Sequence, residues 1–322
     1  VAAVAALGAV APDGTADGRL SVAAVQGGGP RGIRAVLRDP MPVLERHLEA
    51  TARVEPPVDL VLWPEDVVDI EELAGSRADQ ALAALARSLR TTLVVGVVED
   101  AGETRFRNAA VVYGSDGRRV DRYDKVHRVP FGEYVPFRAL FDALADLSAV
   151  PRDAVPGRGP GVVDTAVGRM GVLISYEVFF PERARDAVRA GGRVLLVPTN
   201  ASSYRDPQIP AQEVAVARMR ALATGRWVVQ AAPTGYSAVV DHRGRVVAQS
   251  GLGQAEVLQA EVGARTGTTV ATRLGRAPWT VAALVALLLL SKAESFHSRF
   301  VALLGGDRYS ETRSITRRRR KS

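Results

Sequence analysis

Three residues of the kind that acyl transfer uses are spread through this sequence: Glu65 in Val-Leu-Trp-Pro-Glu, Lys125 in Tyr-Asp-Lys-Val-His, and Ser175 in Gly-Val-Leu-Ile-Ser-Tyr-Glu. Moving an acyl group requires a nucleophile, a base to take its proton, and positive charge where the tetrahedral oxyanion forms. A carboxylate can act as that base when partly desolvated, because burial raises its pKa toward that of a thiol, near ~8.5. Glu65, approached through apolar Leu-Trp-Pro, suits the base, and Lys125 suits the oxyanion, helped by the backbone N–H of Tyr176. Ser175 occupies the nucleophile position. Singly, each residue is weak evidence: a glutamate after a strand is commonly a cap or surface group, a lysine is commonly solvated, and a strand-end serine is commonly structural. Their order carries more weight, with gaps of 60 and 50 residues and each residue just past a predicted β run.

Apolar runs and turn residues predict the elements that hold the three residues. Leu20 to Val25, Leu60 to Trp63, Thr92 to Val98, Arg193 to Val197 and Trp227 to Ala231 read as strands, several unbroken enough to be buried on both faces. Helical spacing runs through Pro40 to Val54, Ala78 to Leu89, Pro181 to Ala190 and Ala211 to Ala223. Asn108 to Tyr113 and Arg119 to Tyr123, joined by Gly-Ser-Asp-Gly, read as a hairpin, as do Tyr236 to Val240 and Arg245 to Gln249. Gly161 to Ala166 and Met170 to Ser175 form a further strand pair. Strands alternating with helices and interrupted by hairpins predict an α/β fold of two mixed sheets packed face to face, with helices outside.

Composition narrows the function classes. The four histidines, His47, His127, His242 and His297, lack ligand spacing, so no metal site is expected, and no nucleotide-binding glycine motif or other cofactor signature is present. The net charge of +7 is concentrated in the tail, because Arg313, Arg317, Arg318, Arg319, Arg320 and Lys321 carry six positive charges. A nucleic-acid groove on the folded part is therefore not expected. Upstream of the tail, Pro278 to Leu290 is uncharged and apolar, and with Trp279 and Lys292 beside it reads as a membrane helix flanked by a cytoplasmic basic run. Val1 to Ala11 is also apolar and lacks the basic start of a signal peptide. The expected organisation is thus the end of a transmembrane helix at 1–13, a linker at 14–19, a catalytic domain at 20–265, a linker and C-terminal transmembrane helix at 266–292, and a basic cytoplasmic tail at 293–322. Such a chain would be the C-terminal portion of a longer membrane protein, with its catalytic domain on the non-cytoplasmic side.

Trp63-Pro64-Glu65, the Lys125 segment, Val-Pro-Phe-Gly-Glu-Tyr-Val-Pro at 129–136, Ser175-Tyr176-Glu177, and Ala-Arg-Met-Arg-Ala-Leu at 217–222 together resemble the carbon-nitrogen hydrolase, or nitrilase, superfamily. Within it they are most similar to the apolipoprotein N-acyltransferase branch. The resemblance implies a nitrilase-like α-β-β-α sandwich flanked by transmembrane helices, Glu65 as base, Lys125 as oxyanion partner and position 175 as the acyl-carrying nucleophile. It further implies Glu133 as a second glutamate supporting the lysine or the base, Tyr176 and Glu177 lining the pocket beside the nucleophile, and Asn200 in a lesser supporting place. No cofactor is implied. The implied partners are a phospholipid acyl donor, the N-terminus of a diacylglyceryl-modified lipoprotein and the bilayer of a bacterial plasma membrane, with a monomer expected. The departure is at 175, where that family has cysteine and this chain, which contains none, has serine. A hydroxyl is far less acidic than a thiol, and a glutamate without a histidine activates it poorly. Serine there reads as an engineered Cys→Ser substitution that holds substrate in place, a natural non-acylating homologue, or a genuine serine enzyme. A membrane-tethered amidase and a catalytically dead lipid- or lipoprotein-binding module remain as alternatives. Segments 130–146 and 201–212 are the candidate lids.

Overall fold

Strands that read as unbroken apolar runs do so because both of their faces are covered. The computed structural model describes residues 12–32, 41–138, 147, 150–278 and 280–290. The first half runs through β1 (Thr15–Gln26), α1 (Met41–Thr51), β2 (Leu60–Leu62), β3 (Val68–Ile70), α2 (Arg77–Leu89), β4 (Thr92–Asp100), β5 (Arg105–Tyr113), β6 (Arg119–Asp124) and β7 (Asp153–Ala154). After β8 (Val162–Thr165) and β9 (Gly168–Val172) come a 3-10 turn (Ser175–Phe179), α3 (Pro181–Arg189), β10 (Leu195–Pro198) and α4 (Gln208–Thr224). The unit closes with β11 (Val228–Ala231), β12 (Ala238–Val240), β13 (Val246–Gln249), β14 (Glu256–Thr266) and α5 (Val270–Leu274).

The strands form two sheets. One has the order β14-β1-β2-β4-β5-β6, with β3 beside β4 and β7 beside β5; the other has the order β13-β12-β11-β10-β9-β8. Between them Val22, Leu60, Leu62, Val94 and Val112 of the first sheet share a core with Met170, Val172, Leu196, Val229 and Val239 of the second. The alternate residues face outward. Val61, Leu93 and Val95 pack with Leu44, Leu82 and Ala86 of α1 and α2, while Leu195, Val197 and Val228 pack with Ala184, Ala187, Val214 and Ala217 of α3 and α4. Helix, sheet, sheet and helix layers follow, as the alternating pattern predicts.

Three boundaries differ from the sequence reading. Residues 15–19, expected as linker, lengthen β1 and pair with β14, Thr15 opposite Thr266 and Ala16 opposite Arg265. The strand expected to reach Ser175 ends at Val172, and Ser175 instead opens the 3-10 turn. Strand β14 was not foreseen, because its half-exposed course, with Glu256, Gln259 and Glu261 interleaved, lacks an apolar run.

Residues 277–278 and 280–290, in the second unit, are helical, and Val281, Leu284, Val285, Leu287, Leu289 and Leu290 are exposed. Among the described residues no helix is long and apolar enough to cross a membrane. The apolar start at 1–11, the basic tail at 293–322 and the lid positions 139–146 lie outside the described residues.

Candidate active site

Glu65 sits three residues past β2, where Gly96 on β4 lets the two backbones approach. A Cβ at Gly96 would lie 2.1 Å from the Pro64 carbonyl oxygen and 2.5 Å from Glu65 Cα, so any side chain there would displace the glutamate. Lys125 follows β6 directly, and its backbone N–H donates to the Asn108 carbonyl at 2.8 Å. The hairpin register that pairs Ala109 with Asp124 thereby puts Asn108 beside Lys125.

These residues form one buried ionic cluster. Lys125 Nζ donates to Glu65 Oε1 at 2.8 Å and to Glu133 Oε1 at 2.9 Å. Asn108 Nδ2 donates to the same two oxygens at 2.8 and 3.0 Å. Glu133 is tied further by the Val129 N–H, which donates to its Oε2 at 2.7 Å. Burial alone would lower the lysine pKa, but Glu65 and Glu133 outweigh it and hold the ammonium charged. Burial raises Glu65 above the ordinary carboxylate value; Lys125 opposes that shift and Glu133 adds to it. Lys125 therefore offers permanent positive charge with two of its three N–H donors committed and one left for a substrate oxygen.

Ser175 has a φ of 47°, a left-handed conformation uncommon for a residue with a side chain, and it lies buried at the start of the turn. Glu177 fixes this turn. Its carboxylate accepts the Ile174 N–H at 2.9 Å on the Ser175 side, and the Val126 and His127 N–H groups at 2.8 and 3.1 Å on the Lys125 side. The Tyr123 hydroxyl donates to the same carboxylate at 2.8 Å, and Arg183 Nε lies 3.7 Å away. Fully buried and saturated in this way, Glu177 anchors the site from behind and does not form a pocket wall. Tyr176 stands edge-on to Phe180 at 5.0 Å, and Phe180 stacks on His127 at 4.1 Å, so an aromatic cluster joins the same two segments.

Asn200 is placed against Asp66, with Nδ2 to Oδ2 at 3.5 Å, and so lies beside the Glu65 segment. Asp66 has a φ of 58° and, through burial and then neighbouring Asp69 and Glu65, a pKa well above the usual range.

Two groups were missed in the sequence. Asn108 opens a predicted strand, and counting the hairpin register back from the turn would have set it opposite Lys125. Glu213 lies on α4, 4% exposed, with Oε1 accepting the Thr199 hydroxyl at 2.6 Å. Burial raises its pKa to about 7; Thr199 opposes, Glu65 adds, and Lys125 and the Ser175 hydroxyl oppose. Glu213 thus feels Glu65, Lys125 and the Ser175 hydroxyl from a helix that packs against the turn Ser175 opens. Its signal was a lone acid on the helical face of Val214, Ala217 and Ala221. Among the described residues no cluster of His, Cys, Asp or Glu has the form of a metal site.

With these two sheets and this buried site, the chain belongs to the carbon-nitrogen hydrolase family, whose profile matches residues 21–271. More particularly, it is 35% identical over 222 residues to the apolipoprotein N-acyltransferase of Geobacter metallireducens, an alignment covering 68% of this chain and 43% of that protein. It is 32% identical over 297 residues to the apolipoprotein N-acyltransferase of Mycolicibacterium smegmatis, covering 88% of this chain and 50% of that one. The chain spans about half the length of such curated relatives. Its fold is similar to that of a Saccharomyces cerevisiae member of branch 10 of the nitrilase superfamily, with a TM-score of 0.59 and 24% identity over 77% of this chain and 91% of that one. An amidase from Nesterenkonia sp. matches with a TM-score of 0.58 and 22% identity over 85% and 98% of the two chains.

Proposed function

We propose that this chain is an apolipoprotein N-acyltransferase domain in which position 175 carries an acyl group between a phospholipid and the N-terminal amine of a diacylglyceryl-modified lipoprotein. The observation that supports this reading is the buried Glu65–Lys125–Glu133 cluster, with Glu177 tying the turn that Ser175 opens to the residues just after Lys125, in a chain whose named relatives are N-acyltransferases. Glu65 acts as the base and Lys125 holds the oxyanion, with Glu133 and Asn108 orienting both. Exposed Phe131 and Phe137, on the segment that carries Glu133, offer contact to acyl chains, and exposed Leu284 and Leu287 on the apolar helix suit a bilayer in a way that a small-amide hydrolase does not require. A membrane location with the site on the non-cytoplasmic side follows from that substrate class. With serine at 175 no thioester can form, and a hydroxyl is a much weaker acid than a thiol, so this form does not complete the transfer.

The test is Ser175→Cys. Incubated with phospholipid vesicles, this variant is expected to gain one acyl mass and to pass it to a diacylglyceryl-cysteine peptide. Hydrolysis of small amides with no lipid adduct would favour the amidase reading, and the absence of both would favour a binding module.

A further inference from the structure

Glu65 and Lys125 account for the base and the oxyanion, yet a second buried carboxylate lies on the helix packed against the turn that Ser175 opens. Glu213 belongs to α4, the helix whose buried face packs over the turn that Ser175 opens. Thr199 fixes one of its oxygens at 2.6 Å. The other, Oε2, is buried with no hydrogen bond closed to it among the described residues, and Ser175 is a hydroxyl near enough to favour the charged form of this carboxylate. Glu65, in contrast, has its Oε1 committed to both Lys125 and Asn108. Glu213 also titrates near about 7, where a general base is matched to neutral pH.

We infer that Glu213 accepts the Ser175 proton, so that this serine form takes up a single acyl chain as an oxygen ester and retains it. The inference rests on the acyl-transfer reading above. Ser175 Oγ forms a bond to the donor's ester carbon as its proton passes to Glu213, and the tetrahedral oxyanion is held by Lys125. Collapse breaks the bond to the glycerol oxygen, which leaves as a hydroxyl carrying the proton that Glu213 returns. One ester is exchanged for another, and nothing is oxidised or reduced. An oxygen ester is less reactive toward amines than a thioester, so the second half-reaction stalls and the loaded state persists.

The full chain is incubated with phosphatidylethanolamine vesicles and followed by intact mass, with peptide mapping to Ser175. The expected result is one acyl adduct that survives neutral hydroxylamine and is not transferred to an amine. Its rate is expected to rise with pH through about 7. Glu213→Gln is expected to slow loading on the order of 10²-fold. Thr199→Val provides a readout independent of that variant's folding: without the hydroxyl that favours the carboxylate, the midpoint of the pH profile moves upward. If Ser175→Cys loads and the parent chain does not, the inference fails and the acyl-transfer reading stands. If neither loads, the reading fails and takes the inference with it. Loading that ignores both Glu213→Gln and Thr199→Val overturns the role of Glu213.

Discussion

The Glu177 carboxylate, two residues past Ser175, accepts the backbone N–H of Val126, one residue past Lys125, at 2.8 Å. One side chain therefore sets the separation of two site residues drawn from different sheets. Glu177→Ala leaves Arg183 buried without its counter-charge and orphans the Tyr123 hydroxyl and three backbone donors. Loss of one partner of a buried pair costs about 3–5 kcal/mol, to be read as a lower urea midpoint.

Gly96→Ala puts a methyl group into the Pro64 carbonyl and the Glu65 backbone. Overpacking of this kind costs about 1–3 kcal/mol. Displacing the base by roughly 1 Å is expected to slow acyl loading of the Ser175→Cys protein on the order of 10²-fold. Stopped-time intact mass measures the rate, and an unchanged rate would count against Glu65 as base.

Asn108→Leu removes the donor shared by Glu65 and Glu133 and leaves Lys125 alone to neutralise two buried carboxylates. A stability loss of about 1–3 kcal/mol is expected, the cost of leaving buried acceptors short of a donor. Denaturant unfolding at neutral pH measures it, and no change would show that water replaces the amide.

Glu213 should make the fold weaker as pH rises. Its folded pKa of about 7 lies above the value of 4.5 expected when unfolded, so the native state binds the proton more tightly. The associated stability is present below about 4.5 and is lost as pH climbs through about 7, an effect on the order of 3 kcal/mol. Glu213→Gln should flatten this dependence between pH 5 and 8, measured as urea midpoints.

His47 acts in the opposite sense. Burial lowers its pKa to about 4, so the native state keeps the ring neutral, with Nε2 accepting the Gly27 N–H at 3.1 Å and Nδ1 bonded to the Val43 carbonyl at 2.7 Å. The stability tied to this neutral ring is present above the unfolded value of 6.5 and is lost as pH falls toward about 4. His47→Gln should lower stability at pH 7 and reduce the acid sensitivity between pH 6.5 and 4, seen as a shallower fall of the melting temperature.

The strands that lead to Glu65 and Ser175 were legible because burial on both faces leaves an unbroken apolar run, and the polar strand before Lys125 was legible from the hairpin around Gly114 to Gly117. Glu213 was not, since its partners Thr199 and Ser175 lie 14 and 38 residues away and only the packing of α4 over the turn unites them. The anchoring role of Glu177 escaped for a similar reason: a glutamate beside a nucleophile reads as a wall of the pocket until its four donors are seen. Strand β14 hides because it is an edge strand with one exposed, charged face, whereas the central strands carry the apolar runs that pattern reading detects.

The left-handed backbone at Ser175 works as a socket whose shape is set by the surrounding main chain and not by the atom it displays. Glu177 holds that turn through the Ile174 N–H, so exchanging oxygen for sulfur by Ser175→Cys is expected to leave its backbone in place.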